Sequence, residues 1–356
     1  MTADGRGNLR AFGRRKDGYR GRGVRTLVIS DLHLGNRGRR DVLRQDVALR
    51  RLLTALDDVQ RLVLLGDVLE FHGRHAEHAL AIAEPVLREI GARMTGKEIV
   101  LLPGNHDHDL IRRWIRARGD ALGLADAVPP DASPALARVL AALSPANVRV
   151  SYPGVWLQDG IYAIHGQYAD RHLNPQSAIG LLRRKAPRPM TPARYERRPP
   201  RRARQRPRGP VRRALGRARR HVRAVILFDL PSLLLRPRMA PLIAPVLDVQ
   251  MRRSALPAFA RVITALDIQA EWVLFGHVHR LGPRDGDDPR AWRVTGNDAQ
   301  IINTGSWQYE TLLAGRGEPP HPYWPGGGVL LEPGRPPQVL GLLDDLHRAD
   351  LNPGDR

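Results

Sequence analysis

Five short polar clusters in this chain share one design: each stands at the end of an apolar run. They are Asp31 and His33 in "VISDLHLG", Asp67 and Glu70 in "LLGDVLE", and Asn105, His106 and Asp107 in "LLPGNHD". A lone His165 follows in "YAIHGQ", then His277 and His279 in "VLFGHVHR". Carboxylate, imidazole and amide oxygen together suit divalent first-row metals such as manganese, iron or zinc better than they suit magnesium alone. Asp31 and His33 lie two residues apart, as do His277 and His279, so on an extended strand both members of a pair face one side. Gly66, Gly104, Gly166 and Gly276 stand beside these residues and let the backbone turn tightly next to bound ions. Singly, each cluster reads as a turn, a cap or a satisfied histidine. Five in order, each behind an apolar run, read as one site. Seven of their residues, Asp31, His33, Asp67, Asn105, His165, His277 and His279, taken as ligands exceed what one ion usually takes, and two ions sharing a bridging carboxylate would use them all.

The elements that must position these residues alternate along the chain. Residues 25–30, 61–67 and 98–105 read as strands, each a continuous apolar run of the kind covered on both faces. Helical spacing of apolar residues predicts helices over 41–58 and 77–95, with others around 109–118, 133–143 and 255–266. Residues 155–166 read as a hairpin turning at Asp159-Gly160, and 271–277, 299–306, 327–333 and 338–343 as later strands. In an open α/β sheet, ligands bind beyond the carboxyl ends of the strands, which brings residues far apart in the chain to one edge.

Composition sets outer limits. The 356 residues, 42% hydrophobic, suffice for a large core, and the absence of cysteine excludes disulfides, thiolate metal sites and cysteine nucleophiles. The net charge of +21 is concentrated. Residues 183–223 hold 17 Arg and one Lys against Glu196 alone, and residues 1–25 hold seven Arg and one Lys against Asp4 and Asp17, leaving about −2 elsewhere. The body is nearly neutral and carries two basic attachments. Residues 1–24 read as a disordered tail with no signal peptide, and the most apolar stretch, 224–235, is interrupted by Asp229 and Pro231. A cytoplasmic location is expected.

The five blocks together resemble the calcineurin-like metallophosphoesterase superfamily, whose pattern reads D-x-H, G-D, G-N-H-[DE], a lone H, and G-H-x-H. The resemblance covers residues 25–170 and 268–310. It implies an α/β (α+β) fold, a two-sheet β-sandwich flanked by helices, here spanning 25–350 with a basic and apolar insertion or lid at 178–250. It also implies two divalent ions. Asp31, His33 and His279 would hold one, Asn105, His165 and His277 the other, and Asp67 would bridge. His106 would act beside them without being a ligand, oriented by Glu70. Two adjacent cations lower the pKa of a water so that hydroxide is available near neutral pH, and they neutralise phosphoryl oxygens for in-line attack. His106 would then stabilise the developing charge or protonate the leaving oxygen.

Within the superfamily, Glu70-Phe71-His72-Gly73 departs from the Asp-Arg-Gly of Ser/Thr phosphatases, whereas "GDVLEF", "EWVLFGHVHR" and "INTGSW" are similar to the UDP-2,3-diacylglucosamine diphosphatase branch. A lipid-linked or nucleotide diphosphate is the expected substrate, with a phosphodiesterase or nuclease as the alternative. Arg171, His172 and Asn174 are candidate substrate contacts, with Gly305 and Ser306 lining the pocket. The basic run followed by apolar 224–247 points to peripheral docking, through 183–247, on an anionic inner membrane face. Nucleic acid is the lesser reading, because Tyr195 is the lone aromatic in the basic run. His72, His75 and His78, three residues apart, read as a helix surface.

Overall fold

A computed structural model describes residues 23–351 except 37, 39, 72–75, 159, 174–186, 198–253, 311–313 and 315–317. The expected tail, the apolar stretch 224–247 and most of the basic insertion lie outside the described residues.

The first three apolar runs become buried parallel strands, β1 (Thr26–Ile29), β2 (Arg61–Leu65) and β3 (Glu98–Leu102). Then come β4 (Ala125–Val128), β5 (Asn147–Gln158), β6 (Ile161–Ile164), β7 (Trp272–Phe275), β8 (Leu281–Gly282), β9 (Gln300–Thr304), β10 (Gly327–Leu331) and β11 (Gln338–Gly341). The helices are α1 (Asp46–Ala55), α2 (Ala76–Arg93), α3 (Arg112–Arg118), α4 (Pro134–Ala142), α5 (Pro192–Glu196), α6 (Leu256–Ala265) and α7 (Arg348–Leu351). The helix expected over 41–58 is shorter: Gln45 is extended at φ −90°, ψ 124°, and separates a 3-10 turn at Val42–Arg44 from α1.

Strand pairing runs in one unbroken path, β11-β10-β1-β2-β3-β5-β6-β7-β9-β8, with β4 on β5. The two halves of that path meet in β5, which begins eight residues before the expected hairpin. Its first residues pair with β3 and the last with β6, at registers Glu98↔Asn147 and Gly154↔Ile164. Side chains alternate along each strand, so the faces build different cores. Leu27, Leu62, Leu64 and Leu101 face the helices of the first half, including Leu52 of α1, Leu87 of α2 and Val139 of α4. Val273, Phe275 and Ile301 face Phe259 and Val262 of α6. A third core draws on strands of both halves and on no helix: Val28, Val63 and Val100 pack with Ala163, Leu274 and Ile302. The parallel strands β1, β2 and β3, and the parallel pair β6 and β7, therefore deliver their carboxyl ends to a common edge.

The described part of the Arg-rich run contributes to the core: Ala193 and Tyr195 of α5 are each 4% exposed, since a few well-placed side chains suffice to dock a single helical turn.

Candidate metal centre

All five clusters lie just beyond strand ends, and the way they converge differs from the expectation. Asp31 and His33 do not share a face through strand geometry, because β1 has already ended at Ile29. Left-handed backbone turns the side chains inward instead. Among the described residues seven non-glycine positions have positive φ, and five of them are Asp31 (55°), His33 (46°), Asp67 (50°), His277 (71°) and His279 (56°). Each such position costs of order 1–3 kcal/mol and persists only where its surroundings enforce it.

Here the enforcement is a web of backbone hydrogen bonds. Asp31 N donates to Gly66 O (3.0 Å), His33 N to Asp67 O (2.9 Å) and Gly276 N to His165 O (2.9 Å). His106 N donates to Asp67 Oδ1 (2.8 Å), and His277 N to Asp31 Oδ2 (2.9 Å). Asp107, fully buried, accepts from Val68 N at 2.8 Å, Leu69 N at 3.3 Å and Gly104 N at 2.6 Å, tying the second cluster to the third. Two glycines are demanded by close approach: a Cβ at Gly104 would overlap the Asp67 carboxylate, and one at Gly276 the Asp31 carboxylate.

The result is two compact groups, Asp31–His33–His279 and Asp67–His165–His277, whose candidate ligand atoms lie within 4.8 Å of one another in each. A third, His33–Glu70–His106, joins them. Hydrogen bonds assign the ring nitrogens. His33 Nδ1 donates to Glu70 Oε2 (3.1 Å), which directs Nε2 toward His279 Nε2 at 3.2 Å. His165 Nδ1 donates to Leu65 O (2.9 Å). Its Nε2 is buried 3.1 Å from Asp67 Oδ2, yet makes no hydrogen bond. The Asn105 Oδ1 atom is likewise buried without a partner. Buried atoms of this kind are rarely left unmet, and these two belong to the expected ligand set.

Electrostatics points the same way. Burial opposes ionisation of Asp31, but His165 and His279 outweigh it and hold the carboxyl well below the usual range. Asp67 is lowered similarly, by His165 against burial, and Glu70 by His106 and His33. Burial works against charge on His33 and His165 too, yet the carboxylates raise them to about 10 and about 9. Burial and the nearby Asp67 push Asp107 up to about 6. Three ionised carboxylates thus draw protons onto adjacent imidazoles, and divalent cations would displace those protons on binding. The donor set fits such ions.

His106 stands beside these groups. Its Nδ1 donates to Glu70 Oε1 (2.8 Å), and its Nε2 is 3.9 Å from Asp67 Oδ2. The remaining candidates are placed differently. Arg171 donates to the carbonyl of Arg197, and His172 Nε2 meets the Tyr195 hydroxyl at 2.7 Å, so both engage the insertion. Asn174, His72 and His75 lie outside the described residues, while His78 is exposed on α2. Ser306 is 3% exposed and props the Asp31 carbonyl through its hydroxyl at 3.1 Å. Sequence reasoning missed Asp107 as the tie between loops, although its place after Asn105 and His106 was the signal.

Against families of known sequence pattern, residues 24–204, just over half of the chain, match the model for calcineurin-like phosphoesterases. The chain belongs to this family. As a calcineurin-like phosphoesterase it is a metal-dependent hydrolase of phosphoesters. None of the curated proteins compared matches it. Among solved structures it is similar to a dimetal phosphatase from Danio rerio, at 15% identity over 90% of this chain and 100% of that one, with a TM-score of 0.34. It is also similar to a cold-active protein-tyrosine phosphatase of a psychrophilic Shewanella, at 15% identity over 92% and 82% of the two chains, with a TM-score of 0.33. No described helix is long and apolar enough to cross a membrane.

Proposed function

We propose that this phosphoesterase works with two divalent ions, manganese first among them with iron or zinc as alternatives, and cleaves a diphosphate or phosphodiester. Asp31, His33 and His279 would hold one ion and Asn105, His165 and His277 the other, with the Asp67 carboxylate available to both. The single observation behind the mechanism is the divided carboxylate of Glu70, which accepts from His106 Nδ1 through one oxygen and from His33 Nδ1 through the other. When bound, the ions supply an acidified water and neutralise phosphoryl oxygens. Glu70 fixes the His106 ring so that Nε2 turns toward the centre, where it can protonate the leaving oxygen. Leu32, Leu69 and Leu110, which follow or precede these residues in the chain, are fully buried in the core of the first half.

For the substrate, the support is the block 66–71 and the basic segment docked beside the centre through α5. A lipid-linked or nucleotide diphosphate carries the negative charge such a segment attracts, and residues 183–247 would meet an anionic inner membrane face. The strand-only third core supports reading the two halves of the sheet as layers of a sandwich within one domain, 25–350. Manganese-loaded protein should hydrolyse bis(p-nitrophenyl) phosphate and a lipid-linked diphosphate faster than p-nitrophenyl phosphate. Cleavage of the monoester alone would overturn the diphosphatase reading. Cleavage of DNA or RNA in preference to the lipid-linked diphosphate would select the nuclease.

A further inference from the structure

Of the proposed ligand histidines, His33 and His165 have one ring nitrogen claimed by a named acceptor, Glu70 and the Leu65 carbonyl. His277 follows the same rule through a residue no sequence block contains. Its Nε2 lies 2.9 Å from Asp170 Oδ1, so the N–H is donated there and the lone pair remains on Nδ1. Asp170 is more than half exposed (57%) and sits on the 3-10 turn Gln167–Arg171, immediately after the left-handed Gly166 (φ 115°). An exposed carboxylate on a short turn needs something to hold it in place.

The basic insertion supplies that support. Tyr168, on the same turn, donates its hydroxyl to Glu196 Oε1 (2.7 Å) and stacks on Tyr195 at 4.5 Å with the rings 8° from parallel. Arg171 closes the turn onto the carbonyl of Arg197. Glu196 also accepts from Tyr152 (2.6 Å) and pairs with His108 Nε2 (3.1 Å), two residues beyond His106. The sole acid of the Arg-rich run is therefore the residue that clamps it to the loops after His106 and His165. Thr191 caps α5 by accepting from Arg194 N, and Met190 N donates to Ala265 O (2.7 Å), so the segment is also held from behind.

We propose that Asp170 is a positioning residue for the second metal subsite, orienting the His277 ring, and that α5 of the basic insertion holds the turn from which Asp170 acts. This rests on the reading of His277 as a ligand. Carboxylates that orient ligand imidazoles typically contribute 10- to 100-fold to metal affinity. The acceptor oxygen does this work, so an amide retains part of it and a methyl none.

The test is manganese binding to the full chain by isothermal titration, with electron paramagnetic resonance at two equivalents. The unaltered chain is expected to bind two ions and show an exchange-coupled signal. Asp170→Ala should weaken the second ion by about 10- to 100-fold and leave the first unchanged, with the coupled signal giving way to that of an isolated ion. Asp170→Asn should recover part of the loss, and Glu196→Gln should weaken the same ion by less. Two ions bound with unaltered affinities in Asp170→Ala would overturn the inference while leaving the ligand reading intact. Failure of the unaltered chain to bind a second ion would overturn both. An equal loss at both subsites would reduce Asp170 to a general structural role and also overturn the inference.

Discussion

The parallel strands carry a charged cluster at each end, and the two behave differently. At the amino ends, Glu98 of β3 lies between Arg61 of β2 and Arg149 of β5, pairing with both. Arg61 is 2% exposed and also donates to Leu157 O at 3.2 Å. The charges answer one another within the chain, and none of these three residues has left-handed backbone. At the carboxyl ends, Asp31, Asp67 and Glu70 crowd against imidazoles, five of the cluster's residues have left-handed backbone, and His165 Nε2 and Asn105 Oδ1 make no hydrogen bond. A cluster closed on itself holds strands together. One left open, with strain concentrated in it, is built to receive something from outside.

That contrast can be broken by experiment. The largest effect is expected from Asp67→Ala, which removes the carboxylate between the two proposed ions. Turnover should fall by about 10³-fold or more, since metal assistance is worth several kcal/mol and each 1.4 kcal/mol is tenfold, with metal content by mass spectrometry falling too. Retained metal and retained turnover would remove the difference between the two ends. Glu98→Ala should act oppositely, costing about 3 kcal/mol of stability by urea unfolding because Arg61 is left buried without its partner. Activity per folded molecule should not change. Next comes His106→Ala, for which turnover should drop by about 10²-fold with both ions kept. Metal loss in that variant would make His106 a ligand.

The smallest effect is a pH dependence at the closed end. Burial raises the Glu98 carboxyl, but its bonds to Arg149 and Arg61 outweigh burial and hold it below the ordinary range. A depressed folded pKa contributes stability above the unfolded value, which is lost as pH falls through the folded one. The gap in urea midpoint between the chain and Glu98→Gln should therefore narrow from about pH 7 to about pH 4. A gap that widened would mean the cluster stores no ionic stability.

Much of the site was legible in the chain because strand ends announce themselves. Apolar runs such as 98–102 stop abruptly at polar residues, and the blocks lie in order. The strands that escaped notice, β4 and β8, lack such runs: β4 is mostly exposed, and β8 is two residues long. α5 escaped because overall Arg content concealed three anchoring side chains, Ala193, Tyr195 and Glu196.

The sequence by itself determined the kinds of donor atom, their order and the strands that end beside them. Local composition suffices for that, since each block carries its own apolar run. Only the tertiary structure decided which ring nitrogen of His165 and His277 is spoken for and how the loops of the candidate site kink. His165 finds its acceptor on Leu65 and His277 on Asp170, each about 100 positions away, and left-handed turns at Asp31 or His279 are enforced by neighbours from other strands. Hydrogen bonds across such separations exist only once the chain has closed around them.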